Sequence, residues 1–352
     1  MGGKPMRIHG GDRGARIDFS SNLNPLGPPK IVLDVLASCL SQRVLEKYPD
    51  YTYRDLKRSL ARFYRCKEGF VVPTAGAGEA INLVVIASKA KRIYVLEPSY
   101  GEYEDLSNVL GLEYRPIFYR KTLDGFYIDF SDLHKPCSDR DGLIVITNPS
   151  NPLGLYIDRD KLFNYLSNCS ARSLVDEAYT ELCSRCPIEI GDEIPQNVVV
   201  VRSLTKWLSL PGLRLGLLYI TDMDFLRMVE ALRQPWNVNS LAECLGRSIS
   251  EYEQELKSFI HKSREYIDGE RERLKKMLAS LGAKVFESTT NFLLVEIDSG
   301  EQIVEKLREM GLALRSCSSF KGLSPNFIRI AVRSPRENNE LVEALRNVMG
   351  VG

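Results

Sequence analysis

Four short, almost entirely apolar segments, interleaved with segments of helical spacing, constrain the fold of this chain most strongly. The apolar segments are rich in β-branched residues and lie at residues 92–97, 142–147, 172–175 and 197–202. Strands that are apolar on both faces require a sheet covered by helices on both sides. The helical segments lie at residues 78–89, 100–110 and 159–166. This alternation predicts an α/β fold with a mostly parallel central sheet.

The character of the chain changes near Pro235. Residues 242–281 form one long charged segment with helical spacing of its apolar residues, which predicts an amphipathic helix with at most one break. Two apolar strands at 291–297 and 327–332 and two helices at 302–310 and 338–348 are expected after it. We therefore expect a large domain at residues 45–240 and a small α+β domain formed by residues 1–44 and 241–352.

Length and composition exclude several classes of protein. The chain has 352 residues, about twice a typical domain, and its 44% hydrophobic and 26% charged residues exclude disorder. Its 47 basic and 46 acidic residues leave a net charge of +1, which offers no broad basic surface to a nucleic acid. No apolar run is long enough to span a membrane, and the chain start has no apolar signal region. We expect a soluble, cytoplasmic protein.

The eight cysteines are scattered along the chain, which favours reduced thiols over a disulfide framework. Cys183 and Cys186 form one C-x-x-C segment. A zinc site would need a second pair of ligands, so two loop cysteines are the favoured interpretation. With only three histidines in the chain, we expect no metal site.

Asp176 follows the apolar segment at 172–175, at the strand end where open α/β sheets bind ligands. An aspartate there could instead cap the next helix. Tyr179 comes three residues later, so both side chains could face one ligand on a helical turn.

Lys206 follows the apolar segment at 197–202, and hydroxyl residues Ser203 and Thr205 stand just before it. A lysine alone is usually a solvated surface residue. Together with Arg214 eight residues later, this group suits a phosphorylated aldehyde cofactor. The lysine would form a Schiff base, and the hydroxyls and the guanidinium would hold the phosphate.

Two loops add to this pattern. The small residues at 74–78 open a helix and would let backbone N–H groups approach a phosphate. A dinucleotide fingerprint is the alternative, but the third glycine is missing and no strong strand is expected before it. Asn151, in N-P-S-N-P-L-G, could donate to a cofactor ring oxygen, whereas the simpler interpretation is a turn forced by two Asn-Pro steps.

These segments, in this order, resemble the fold-type I pyridoxal 5′-phosphate (PLP) enzymes of the class I/II aminotransferase family over nearly the whole chain. The most specific parts are D-E-A-Y at 176–179 and S-L-T-K at 203–206 with L-P-G-L-R-L-G at 210–216. The resemblance implies that Lys206 holds PLP as a Schiff base and that Asp176 pairs with the pyridinium nitrogen. It further implies contacts of Asn151 and Tyr179 with the ring oxygen O3′.

The resemblance also assigns the remaining cofactor contacts. Tyr100 would stack on the ring. The residues implied to hold the cofactor phosphate are Ala77, Gly78, Ser203, Thr205 and Arg214. Tyr48, in Y-P-D, is similar to the tyrosine that reaches the cofactor phosphate of a neighbouring subunit, which implies a homodimer with shared active sites.

Two branches of this family differ near the chain start. H-G-G-D at 9–12 and D-F-S-S-N-L-N-P-L-G at 18–27 resemble the threonine-phosphate decarboxylase branch of cobalamin biosynthesis. The resemblance then implies that L-threonine O-3-phosphate loses CO₂ and yields (R)-1-aminopropan-2-yl phosphate. The residues implied to bind this phosphorylated substrate are His9, Asn22, Asn151, Arg315 and Arg329. The alternative is an aminotransferase that uses histidinol phosphate or a related amino acid with 2-oxoglutarate.

Overall fold

The computed structural model describes residues 10–350. Its largest sheet is built from strands that run almost entirely in parallel. In chain order these strands are β2 Val71–Thr74, β3 Arg92–Glu97, β4 Glu113–Phe118, β7 Gly142–Thr147, β8 Arg172–Asp176, β9 Val198–Ser203 and β10 Gly216–Ile220. Their order across the sheet is β2-β10-β9-β8-β7-β3-β4, with β10 antiparallel to both neighbours. This arrangement confirms the predicted α/β fold with a mostly parallel sheet.

Helices cover both faces of this sheet. Those that precede or follow its strands are α1 Lys30–Ser41, α2 Arg54–Phe63, α3 Ala77–Ser88, α4 Glu102–Leu110, α5 His134–Cys137, α6 Arg159–Ser167, α7 Leu204–Trp207 and α8 Met223–Leu232. The side chains of β9 show why the strands read as continuously apolar. Val198 and Val200 enter the hydrophobic cluster on one face, whereas Val199 and Val201 enter the cluster on the other.

The C-terminal third forms an antiparallel sheet with its own hydrophobic core. Its strands are β11 Lys284–Val285, β12 Phe292–Glu296, β14 Arg315–Ser316 and β15 Phe327–Ala331, in the order β11-β12-β15-β14. The helices in this third of the chain are α9 Ser240–Ser248, α10 Glu253–Ser280, α11 Gly300–Glu309 and α12 Pro335–Met349. Helix α9 packs with α1 and α2 in the core of the large sheet, whereas α11 and α12 pack in the C-terminal core. The predicted long helix is therefore two helices, separated at residues 249–252.

The start of the described chain belongs structurally to this C-terminal part. Strand β1 Ile17–Asp18 pairs in parallel with β13 Leu312–Ala313. Phe19 is fully buried in the same core as Leu293 and Ile328. A further two-stranded hairpin joins β5 Arg120–Lys121 to β6 Phe126–Tyr127.

Strand β2 corrects one expectation, because a buried strand does precede the small-residue loop at 74–78. Its four residues include Pro73, and proline within a short run argues against a strand unless the strand lies at an edge. Strand β2 is the edge strand of the large sheet. The edge position therefore tolerates the missing N–H group of Pro73.

The expectation of reduced thiols was wrong for six of the eight cysteines. Disulfides join Cys39 to Cys244, Cys137 to Cys169 and Cys183 to Cys186, and the unpaired cysteines are Cys66 and Cys317. The first two bridges join cysteines that lie 205 and 32 positions apart in the sequence. Their pairing depends on the tertiary fold and leaves no local pattern in the sequence.

Among residues 10–350, no helix is both long and apolar enough to cross a bilayer.

Candidate active site

The candidate site lies at the carboxyl ends of three neighbouring parallel strands. Thr147 ends β7, Asp176 ends β8 and Ser203 ends β9. Each strand is buried along its whole length or nearly so, which fixes its end residue firmly. The polar side chains at the ends of these three strands therefore lie together at one edge of the sheet, where α/β folds bind ligands.

Asp176 is buried, with 4% of its surface exposed. Its Oδ2 accepts a hydrogen bond of 2.7 Å from the Tyr103 hydroxyl, and its Oδ1 accepts one of 3.0 Å from the Ala178 N–H. Burial raises the pKa of the Asp176 carboxyl, while these hydrogen bonds and the charge of Lys206 oppose the shift. A partly satisfied buried carboxylate of this kind can pair with a cationic ring nitrogen.

Lys206 lies in the single turn of α7 and is half-buried. Its Nζ is 5.8 Å from the centroid of the Tyr179 ring, so the Lys206 amine lies over the face of that ring. The Asn24 backbone N–H donates to the Lys206 carbonyl at 3.1 Å. The Asn24 amide donates to the Trp207 carbonyl at 2.9 Å. The N-terminal segment thus holds the turn that carries the lysine.

The small-residue loop can be built only with glycine at its centre. Gly76 has a φ of +83°, and a Cβ atom there would lie 2.7 Å from Arg214 Nη2. A Cβ atom on Gly216 would lie 2.8 Å from the Gly76 carbonyl carbon and 3.0 Å from the Ala77 nitrogen. Because both positions lack side chains, β10 and Arg214 approach the first turn of α3, where Ala77 and Gly78 present backbone N–H groups.

Hydroxyl groups complete this cradle. Ser203 Oγ and Thr205 Oγ1 lie 2.9 Å apart at the end of β9. Thr74 Oγ1, at the end of β2, is buried without a hydrogen-bond partner among the described residues. Arg214 Nη2 donates to the Ala75 carbonyl at 3.2 Å. A helix N-terminus, a guanidinium and an unsatisfied hydroxyl match the donors that a phosphate group requires, so these residues fit a phosphorylated cofactor.

Two arginines enter the site from the C-terminal sheet. Arg315 on β14 lies directly opposite Arg329 on β15, and both are buried. Among residues 10–350, neither guanidinium has a carboxylate within ion-pair distance. Burial and then the charge of Arg329 lower the pKa of Arg315 to about 10. Like charges that face each other on adjacent strands repel, and a bound anion would offset this repulsion.

Asparagines connect the arginines to the strand ends. Arg329 Nη1 donates to Asn151 Oδ1 and Arg329 Nη2 to the Ser20 carbonyl, both at 2.5 Å. Asn22 donates to the Tyr179 hydroxyl at 3.3 Å, and its own Oδ1 is buried without a partner among the described residues. Asn22, Asn151, Tyr179 and Arg329 are thus brought together.

Of the other predicted site residues, Tyr100 lies near enough to the site for Tyr179, Asp176 and Arg214 to act on its pKa, whereas Tyr48 lies apart from it. Tyr100 is half-buried, with its ring 5.9 Å from that of Tyr103. Tyr48 is 78% exposed, and its ring lies 4.5 Å from that of Trp236. It therefore lies on the surface rather than in the site of its own chain. His9 lies outside the described residues.

Tyr103 contacts Asp176 directly, although it was not among the predicted site residues. Tyr103 lies in the first turn of α4, and its backbone N–H donates at 3.3 Å to the carbonyl of Tyr100, which stands three residues earlier and just before the helix. That spacing was the available signal. Among residues 10–350, no group of three or more His, Cys, Asp or Glu side chains is arranged to hold a metal ion.

Comparisons with known proteins agree with this geometry. A threonine-phosphate decarboxylase of Salmonella typhimurium is 32% identical over 95% of this chain and 91% of its own length. The crystal structure of a histidinol-phosphate aminotransferase from Clostridium acetobutylicum matches with a TM-score of 0.84 and 27% identity, covering 95% of this chain and 99% of that one.

A histidinol-phosphate aminotransferase from Sinorhizobium meliloti, solved in complex with pyridoxal 5′-phosphate, shares the fold with a TM-score of 0.81 and 20% identity. It covers 96% of this chain, which in turn covers 92% of it. The family model for aminotransferases of class I and II matches residues 15–345. This chain therefore belongs to the class I and II aminotransferase family.

Proposed function

We propose that this protein decarboxylates L-threonine O-3-phosphate to (R)-1-aminopropan-2-yl phosphate, a step of cobalamin biosynthesis, with PLP as cofactor. The observation that carries the proposal is the buried pair Arg315 and Arg329, which face each other without a carboxylate among the described residues. A phosphate dianion would neutralise both guanidinium groups and accept further hydrogen bonds from them. The similarity to a threonine-phosphate decarboxylase supports the same substrate.

The proposed cofactor contacts use the residues gathered at the candidate site. Bound PLP supplies an electron sink for a carbanion at the substrate Cα. Asp176 keeps the ring nitrogen protonated, and Tyr179 and Asn151 orient the ring oxygen. Ala77, Gly78, Ser203, Thr205 and Arg214 hold the cofactor phosphate. Lys206 anchors the cofactor and then, released by the substrate amine, moves a proton at Cα.

The position of the substrate phosphate decides the reaction. With the phosphate on Arg315 and Arg329, neither guanidinium would be free to clamp the α-carboxylate, which could then leave as CO₂. Bound PLP would accept the electron pair of the broken bond, and the Lys206 amine would return a proton to Cα.

One observation favours the aminotransferase alternative. Arg329 is held by Asn151, so its guanidinium lies beside a residue proposed to contact the cofactor ring. In that position it could bind the α-carboxylate of an amino acid, and the Cα proton would then be lost instead of CO₂. The similarity to the Clostridium acetobutylicum aminotransferase supports the same alternative.

We also propose that the active protein is a homodimer. Tyr48, Tyr51 and Trp236 are exposed, and the Trp236 ring contacts the rings of both tyrosines. Exposed aromatic side chains gathered in this way are typical of interfaces between subunits. In the dimer, Tyr48 would contact the cofactor phosphate of the partner.

A direct experiment separates the two reactions. The PLP-loaded protein is given L-threonine O-3-phosphate without any 2-oxo acid, and CO₂ and the phosphorylated amino alcohol are measured. We expect equal amounts of both over many turnovers, and none with the Lys206→Ala variant. Absence of CO₂, together with turnover of histidinol phosphate once 2-oxoglutarate is added, would refute the decarboxylase and support the aminotransferase.

A further inference from the structure

Three buried hydroxyl groups form a hydrogen-bonded row that ends at the carboxylate of Asp176. Ser99 Oγ lies 3.0 Å from Thr147 Oγ1, which lies 3.3 Å from the Tyr103 hydroxyl. That hydroxyl lies 2.7 Å from Asp176 Oδ2. Ser99 and Thr147 are at most 4% exposed, and Tyr103 is fully buried. We refer to Ser99, Thr147 and Tyr103 as the hydroxyl chain.

The direction of these hydrogen bonds is set by their last member. An ionised carboxylate can only accept, so Tyr103 gives its single proton to Asp176. The Tyr103 oxygen is then an acceptor toward Thr147, and the Thr147 oxygen is an acceptor toward Ser99. Ser99 is held in turn by its backbone N–H, which donates to Glu97 Oε2 at 2.5 Å. Aligned hydroxyl dipoles of this kind polarise one another and strengthen the final bond to the carboxylate.

The surroundings keep Tyr103 neutral. Burial, and then the charge of Asp176, raise the pKa of the Tyr103 phenol well above its ordinary value. Besides Tyr103, the charge of Lys206 lowers the pKa of Asp176 and that of Glu177 raises it, and Asp176 in turn acts on the pKa of the Tyr100 phenol. The Tyr103 ring also meets the Tyr100 ring edge-to-face, with centroids 5.9 Å apart. One residue therefore contacts both Asp176 and the ring expected to stack on the cofactor.

We propose that Tyr103 is a positioning residue that, with Thr147 and Ser99 behind it, holds Asp176 ionised and oriented toward the cofactor ring nitrogen. The inference rests on the proposed cofactor site, but not on whether the enzyme decarboxylates or transfers an amino group. Without the phenol donor, burial would act on Asp176 with less opposition. The carboxylate would then protonate more readily, and the ring nitrogen would lose its proton more readily.

The test uses holoprotein loaded with PLP labelled with ¹⁵N in the ring. In Tyr103→Phe, we expect the ring-nitrogen resonance to move toward that of an unprotonated pyridine. We also expect kcat to fall about tenfold to hundredfold, the range for a lost hydrogen bond to a charged group. KM for the amino acid should stay within about twofold, because Tyr103 does not reach the substrate. A wild-type resonance with wild-type kcat in the folded variant would overturn the proposal.

Tyr64→Phe is the matched control. Tyr64 is also fully buried, and its hydroxyl donates to the buried carboxylate of Glu181 at 2.9 Å. Glu181 is not a proposed cofactor contact. This variant should lose stability but keep the wild-type ring-nitrogen resonance. The same resonance shift in Tyr64→Phe would mean that the effect is general loosening, and would also overturn the proposal.

Two more variants complete the design. Thr147→Val keeps the shape of the side chain and removes the second donor, so it should shift the resonance in the same direction by a smaller amount. It decides the question if Tyr103→Phe does not fold, and an unchanged resonance there would count against the hydroxyl chain. Asp176→Asn should shift the resonance most. If it does not, the proposed cofactor placement has failed rather than the role of Tyr103.

Discussion

Two clusters of buried arginine lie close to the candidate site, and they differ in what neutralises them. Arg202 on β9 is fully buried and makes ion pairs with Glu177 at 2.8 Å and Glu181 at 3.1 Å. Arg315 on β14 and Arg329 on β15 are almost as buried, yet no carboxylate among the described residues pairs with them. Both clusters belong to strands, so burial alone does not distinguish their roles.

The pKa values of Arg202 and Arg315 show the same difference between the two clusters. Burial lowers the pKa of Arg202, but the charges of Glu177 and Glu181 outweigh it, and the net pKa is raised. Burial lowers the pKa of Arg315, and the charge of Arg329 lowers it further. The first cluster is electrostatically complete within the chain. We propose that an anionic ligand completes the second. A missing counter-charge does not by itself indicate a binding site, since the buried Arg264 also lacks an ion pair among the described residues and donates to three backbone carbonyls instead. What distinguishes Arg315 and Arg329 is that two like charges face each other on adjacent strands.

The largest expected effect concerns the stability of the complete cluster. Arg202→Met should lower the free energy of unfolding by about 3–5 kcal/mol, because Glu177 and Glu181 would keep buried charges without their main partner. Denaturant unfolding of the purified proteins measures this difference. Arg227→Met is the control, since Arg227 belongs to an exposed ion pair with Asp224 and should change stability by less than about 1 kcal/mol. Equal stability of Arg202→Met and wild type would remove the contrast.

A smaller effect, and a different one, is expected at the incomplete cluster. Arg315→Met should lower the free energy of unfolding by much less than Arg202→Met. It removes a charge that Arg329 repels and leaves no carboxylate without its partner, and it loses only the hydrogen bond to Ser319 and the contact with the Phe320 ring. The same variant should lower kcat/KM for L-threonine O-3-phosphate about 100-fold, mainly through KM, since a charged contact to phosphate is lost. Steady-state CO₂ release measures this. An unchanged KM, or a loss of stability similar to that of Arg202→Met, would show that Arg315 is structural.

The parts of the fold that sequence predicted well are those buried on both faces. Strands β3 and β7 begin and end at the predicted residues, because their apolar segments are bounded by polar residues on both sides. Strand β2 was missed, since Pro73 breaks its pattern and the edge position that tolerates it is a property of the assembled sheet. The disulfide between Cys39 and Cys244 was missed for a similar reason, since its 205-residue separation leaves no local signal.

The candidate site, too, was predicted only in part from the sequence. The sequence placed Asp176 and Lys206 after strands, and the structure puts them near one another because those strands are neighbours. It did not predict that Arg315 lies opposite Arg329, because that register depends on how β14 and β15 pair. The contact of Tyr103 with Asp176 also depends on tertiary packing, as it joins residues 73 positions apart.

We propose that Arg315 and Arg329 bind the phosphate group of the substrate. The most direct test is calorimetric binding of L-threonine O-3-phosphate and of L-threonine to the PLP-loaded Lys206→Ala protein, which should not turn either over. We expect the phosphorylated amino acid to bind at least about 100-fold more tightly, which is about 2.7 kcal/mol. In Lys206→Ala/Arg315→Met this preference should largely disappear. Equal affinities in the first protein, or an undiminished preference in the second, would show that the two arginines do not bind the substrate phosphate.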